Sequence, residues 1–483
     1  MKKANPSVRV SKYFRLDRDQ STLDFVDVSI GKDVRVYVDP SRLRSIASPW
    51  AAECNSLLQH FFETLLRHLQ AGDDDAGLGM LEHLTEKNEF HLGQSKGISD
   101  GRAFGPEYAR KVWSALKNSK ARSSGLLQDI EDTCLFIDGI GPDRISDAIC
   151  NIIRGPLIKY TQDMCGYYDI PLTPDVDSGP IWDPLTDNWQ DELLPLPMTP
   201  YGKILFVPKA IVRHSFIYDY SDYYRHYLLP AMQESEKVLN TALVTILKNG
   251  AVRVTKKDLC EKYGVDKLAV VDQTIRHPSV LEKYKAEKIR KSRPITNQIL
   301  SEVENIPFPD YTGLLEDVLA VPLGKAHATD YENAIEKLLS ALLYPSLAYP
   351  EKQQKIHEGR KRIDIRYTNV ANSGFFHWLL QHYPSAFIFV ECKNYGTEVG
   401  NPEVDQLSGR FSPGRGQVGL LVCRAVEDEA RLQKRCIDTA KDSRGFIISL
   451  TDVDLKELVQ EYMATSGEQR FALLRRKFEA LIM

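Results

Sequence analysis

Three charged residues near the end of the 483-residue chain stand at spacings that could do chemistry. In the run Ala386–Asn394 (AFIFVECKN), alternate side chains of a strand share a face, so Glu391 and Lys393 point together while Val390 and Cys392 point the other way, into a core. In the earlier run Arg360–Thr368 (RKRIDIRYT), Asp364 lies between Ile363 and Ile365 and projects opposite to them. It can join Glu391, 27 residues further on, if the two strands pair; the loop between them carries Gly374, His377 and Trp378. Two convergent carboxylates offer the hard oxygen ligands Mg²⁺ prefers, and the lysine adds a point charge for a phosphate or an attacking water. A lone E-x-K at a strand end is ordinarily a surface ion pair, so the assignment rests on the elements around it.

Those elements follow one another in a legible order. Asp330–Leu343 (DYENAIEKLLSALL) has the periodicity of an amphipathic helix, and the two strands above come next. A short polar helix is expected around Pro402–Gly409, a strand at Val418–Cys423, a helix at Glu427–Asp442 and a strand at Phe446–Leu450. Such an order reads as a compact α/β layer. A basic amphipathic helix, EQRFALLRRKFEALIM, closes the chain.

Taken together, these segments resemble the PD-(D/E)xK nuclease superfamily with its restriction-endonuclease-like fold, and most closely the Mrr-type restriction endonucleases. The resemblance covers about residues 326–455. Asp330-Tyr331-Glu332 with Leu338-Leu339 looks like the opening helix, with Glu332 at its glutamate. Gly359-Arg360-Lys361-Arg362-Ile363-Asp364 resembles the strand with the metal-binding aspartate, Ile363 replacing the nominal proline. Phe389–Asn394 is similar to the E-x-K strand, and Glu403-Val404-Asp405-Gln406-Leu407 to the following helix with its glutamine. The resemblance implies that Asp364, Glu391 and the carbonyl of Cys392 hold Mg²⁺, with Mn²⁺ as a substitute, while Lys393 positions water. It also implies a supporting catalytic role for Glu332, through water or a second ion, and for Gln406, which would orient a neighbouring group. Arg360, Lys361, Arg362, Arg366, Arg410 and Arg415 form the expected basic rim for backbone phosphates.

The function implied is metal-dependent hydrolysis of DNA phosphodiesters by a prokaryotic restriction or antiphage defence effector, with a defence-system protein as a further partner. A catalytically silent adaptor on a nuclease fold and an RNA-cleaving nuclease are the alternatives. One such site cuts one strand, so a homo-oligomer is expected. The apolar stripe Phe471, Leu474, Phe478 and Leu481 offers a self-association face, or else packs on its own domain.

The fold class expected is multidomain α/β: an α+β domain of sensor or regulatory role at 1–220, a helical middle region and linker at 221–325, and the restriction-endonuclease-like domain at 326–483. In the first, 24–40 alternates like two half-buried strands and Trp50–Leu69 is helical; in the second, helix is expected from Tyr223 to Lys248 and beyond. The Pro-containing segment 293–312 reads as a linker. Leu135–Ile145 has a Gly turn of helix-hairpin-helix type, but its aspartates repel phosphate. Thr255–Ile275 has helix-turn-helix spacing weakened by Asp266, Asp272 and Gln273.

Composition closes off other classes. Hydrophobic residues at 43%, charged residues at 27% and a mean hydropathy of −0.32 describe a chain able to bury real cores. A net charge of −4 leaves nucleic-acid affinity to local patches. Eight scattered cysteines make no zinc ribbon or disulfide framework, and His60, His68, His83 and His91 have no metal spacing with Cys54. With no apolar leader or spanning run the expected location is cytoplasmic, away from membranes. Nucleotide-motor, dinucleotide-binding and nucleophile-elbow motifs do not occur.

Overall fold

A computed structural model describes residues 5, 7–84, 88–93, 106–215, 218–291, 293–356, 361–394, 401–465 and 469–483. The architecture is mixed α/β with several small sheets and one of five strands. Buried apolar side chains form two clusters. One runs from Val10 to Leu300 and takes in Ala348 and Val370; the other runs from Tyr311 to Leu481.

The first cluster is wrapped by helices α1 (Pro49–Ala71), α2 (Pro142–Ile152) and α3 (Arg154–Tyr167), with short two-stranded ribbons between residues 173 and 203. Residues 24–40 depart from the two half-buried strands expected there. Only Tyr37–Val38 is a regular strand, because the segment threads the core and buries both of its faces, Phe25, Val26, Val28, Val34 and Val36 alike. Its aspartates are buried with partners: Asp27 accepts from the Ser11 amide at 2.9 Å and Asp24 from the Tyr160 hydroxyl at 2.7 Å. The middle region shares this cluster. Helix ends at α4 (Leu229–Val238), and a small hairpin, Thr245–Ile246 with Val252–Arg253, replaces the helix expected up to Lys248. Then come α5 (Lys256–Tyr263), α6 (Lys267–Arg276) and, within the expected linker, α7 (Asn297–Glu304).

The second cluster begins before residue 326, since Tyr311, Leu315 and Val318 of α8 (Tyr311–Ala320) belong to it. Helix α9 (Ala328–Leu343) leads to strands β1 (Leu347–Ile356) and β2 (Lys361–Asn369), then helix α10 (Gly374–His382) and β3 (Phe387–Lys393). Helix α11 (Asn401–Ser408), β4 (Val418–Cys423), α12 (Glu429–Lys441), β5 (Phe446–Leu450), α13 (Asp452–Ala464) and α14 (Ala472–Ile482) complete the unit. The sheet order is β1-β2-β3-β4-β5, antiparallel from β1 to β3 and parallel from β3 to β5. Every residue of β4 is buried, as a parallel strand covered on both faces requires. The tail stripe is spent internally: Leu474 and Phe478 are fully buried, and the Phe478 ring lies against those of Phe375, Trp378 and Tyr383. It is therefore a core face and not a self-association surface.

The two clusters meet along edge strand β1. A bulge there places Tyr349 at φ 52°, turning its amide to Asp24 at 2.8 Å, and its ring lies 5.5 Å from Trp50. Buried Lys209 donates to the carbonyls of Gln20 and Ser21 and to Asn297 Oδ1, and Asn297 reaches Ala341 of α9. Burial pushes the Lys209 ammonium down to about 8 against the opposing pull of Asp24 and Asp19. Above that pH the folded chain holds fewer protons here than the unfolded chain, until the unfolded lysine also titrates, so stability from this position rises with pH across that window. The unfolding free energy of the wild type relative to Lys209→Met should increase by up to about 3 kcal/mol between about pH 7.5 and 10. A difference independent of pH would contradict the buried ammonium.

Candidate active site

Strand pairing brings the two carboxylates together. β2 and β3 pair from Thr368↔Phe387 to Ile365↔Val390, and one more step of that register sets Asp364 opposite Glu391 on the same sheet face. The backbone ladder stops there, and Asp364 Oδ2 accepts from the Cys392 amide at 3.0 Å. β2 stays paired to β1 as far as Lys361, and β3 to β4 as far as Lys393, so among the described residues the sheet opens between β2 and β3. The site lies in that fork.

Glu391 is buried, and both of its oxygens hold cations. Lys393 Nζ donates to Oε1 at 2.8 Å, and Arg410 Nη1 donates to Oε2. Burial and the neighbouring Asp364 charge raise the Glu391 carboxyl above its ordinary value, while Lys393 and Arg410 oppose the rise. Lys393 also reaches Gln406 Oε1 at 3.4 Å, which puts the helix glutamine over the same ammonium. Glu332 is buried on α9, and its charge, with those of Asp364 and Glu391, adds to burial in pushing the Cys392 thiol well up.

Two groups in the site were not read as such from sequence. Arg410 was expected on the basic rim, yet it is 2% exposed and serves as a counter-ion to Glu391. Its position follows from Gly419 of β4. Leu407 and Phe411 lie 3.0–3.2 Å from where a Cβ of Gly419 would stand, and this close approach draws the turn at 408–410, with Arg410, onto the strand. Asn394, directly after the strand, donates to the carbonyls of Pro322, Gly324 and His327 and so fixes the segment that launches α9 and Glu332.

The rest of the rim is partly engaged. Arg366 pairs with Glu351 and lies 4.3 Å over the Phe387 ring, and Arg415 Nε donates to Ser412 in its own turn. Arg360 and the side chains of Lys361 and Arg362 lie outside the described residues. The other sequence signals have local uses. His60 and His68 face Asp187 and Asp73, and the Gly139 carbonyl of the Gly turn accepts from Tyr108 and Arg144.

The donor set suits Mg²⁺, which is ordinarily bound through one or two carboxylates and keeps several waters. The like charges of Asp364 and Glu391 act on each other here, and Lys393 and Arg410 already hold both Glu391 oxygens. Among the described residues no group of three or more His, Cys, Asp or Glu side chains forms a metal cage, so carbonyl or water ligands would have to complete the shell.

Residues 15–219 match a family described as a domain of unknown function (DUF8370), which lies wholly before the fork. No curated protein and no solved structure matches the chain. No helix among the described residues is long and apolar enough to cross a membrane.

Proposed function

We propose that the C-terminal unit is a PD-(D/E)xK nuclease domain of restriction-endonuclease-like fold, and that the chain is a metal-dependent endonuclease hydrolysing DNA phosphodiesters. The observation that supports this reading best is the fork itself, where Asp364 and Glu391 face each other across two strands with the Lys393 ammonium beside them. Asp364 and Glu391, with the Cys392 carbonyl, would hold Mg²⁺; when bound it would neutralise charge on the scissile phosphate and acidify a water. Lys393 supplies a fixed positive charge at the reacting phosphate, oriented by Glu391 and Gln406. Asn394 keeps Glu332 close by fixing the entry to α9.

One observation favours a second reading. With both Glu391 oxygens held by Lys393 and Arg410, the fork is also a closed ion-pair cluster, which suits a silent nucleic-acid-binding platform. Incubation of the full chain with plasmid DNA, linear duplex and single-stranded RNA in Mg²⁺, Mn²⁺ or EDTA separates the two. Cleavage of DNA that requires the metal supports the nuclease. Binding without cleavage supports the platform, and cleavage confined to RNA changes the substrate class.

A further inference from the structure

The helix-turn-helix spacing at 255–275 does form two helices, α5 and α6, but the second is docked on its own chain. Lys267 Nζ donates to the carbonyls of Ile137 at 2.6 Å and Ile140 at 3.0 Å, and Asp272 pairs with Lys120 at 2.9 Å. With these groups committed, α6 is not poised to read a duplex groove. The opposite side of the pair is different. A π-helix, Tyr223–Leu228, runs directly into α4, whose first turn contains Pro230. A proline there cannot donate to the His226 carbonyl and would crowd it, and the wider turn relieves that contact. Turns of this kind recur at functional sites.

Between the π-helix and α5 lies a cleft of about 480 Å³, within the range of small-molecule sites. Its walls include Tyr220, Ser221, Tyr224, Arg225, Lys256 and Lys257, and no carboxylate is among its described lining residues. The tyrosine rings are near-parallel at 10°, with centroids 6.2 Å apart. Their hydroxyls donate to the Val265 and Gly264 carbonyls, which ties the aromatic wall to the turn between α5 and α6. Leu229 and Val265 add apolar surface. Lys256 spends one proton on the Arg225 carbonyl at 2.6 Å and keeps two, and the Arg225 guanidinium has no acidic partner among the described residues. Lys257 has only the exposed Glu261, at 3.7 Å.

We propose that this cleft binds a nucleotide unit, its phosphate held by Arg225, Lys256 and Lys257 and its base against the half-exposed Tyr220 ring and Val265, with buried Tyr224 backing them. Three cations, of which only Lys257 has a carboxylate partner among the described residues, beside an aromatic and apolar surface match that pairing of groups. The unit could come from a free nucleotide or from a single strand, and the test has an arm for each. It does not depend on the fork, because binding is read in EDTA.

The full chain is titrated in EDTA with AMP by calorimetry and with fluorescein-labelled dT10 by anisotropy, beside the Arg225→Ala/Lys256→Ala double variant and Lys111→Ala as an exposed control. At least one probe should bind, and the double variant should weaken it about tenfold or more while the control leaves it unchanged. Binding of AMP that displaces dT10 assigns a free-nucleotide site; binding of dT10 alone assigns a strand site. Absence of binding by both probes, or binding that the double variant leaves unaltered, overturns the proposal. Both substitutions are at exposed positions, and circular dichroism of the variant should match the wild type.

Discussion

Glu391→Gln, Asp364→Asn and Lys393→Met are each expected to lower metal-dependent DNA cleavage about 100-fold or more, the cost of losing one preorganised charge at a reacting phosphate. Because the three side chains act at one fork, the double variant Asp364→Asn/Glu391→Gln should be little worse than either single one. Asp405→Asn is the matched control. It lies on the same helix as Gln406 but faces outward to Arg444, so its activity should stay within about threefold of wild type. Initial rates on a linear duplex, with unfolding curves taken in parallel, give the result. Full activity in Glu391→Gln would rule out the fork as the catalytic centre.

Glu336→Gln is expected to cost about 3–5 kcal/mol of stability, the range seen when one partner of a buried ion pair is removed. Glu336 is fully buried on α9, paired with Arg18 near the N-terminus and with Lys352 of β1 at 3.2 Å, and it accepts from Ser340 at 3.0 Å. The amide keeps the shape and leaves two cations without their counter-charge. Although burial is the largest influence and opposes ionisation, Arg18 and Lys352 outweigh it and hold this carboxyl below its ordinary value. A carboxylate depressed in the fold contributes stability that is present above the ordinary carboxylate range and lost as pH falls through the folded value. The gap between wild type and variant should therefore be full at neutral pH and close in acid. Urea unfolding at a series of pH values checks it, and a gap that widens in acid would contradict the ion pair.

The C-terminal elements were legible where periodicity was clean. Asp364 and Glu391 sit in short β-branched and aromatic runs whose alternation fixes a face, and their one-to-one register needed only that the strands pair. β1 was not legible, because Leu347–Ile356 contains Pro350 and a bulge and its later half is polar. α10 was hidden by the apolar run Phe375-Phe376-His377-Trp378-Leu379-Leu380, which offers little polar face to set a helical period. Arg410 was misplaced for a deeper reason. A basic residue after a helix reads as surface by composition, and only the approach of Phe411 to Gly419 and Gly445, a tertiary feature, turns it inward. The segment 24–40 failed in the opposite direction: its alternation was real, but the buried partners Ser11, Tyr160 and Tyr349 made its polar face a core face too.

The central claim is that Asp364 and Glu391 together hold a divalent ion, and Mn²⁺ binding to the intact protein, followed by electron paramagnetic resonance of the free ion, tests it most directly. The wild type should bind about one Mn²⁺ per chain that Mg²⁺ displaces, and Asp364→Asn and Glu391→Gln should each lose it. Equal Mn²⁺ binding by wild type and both variants would contradict the account.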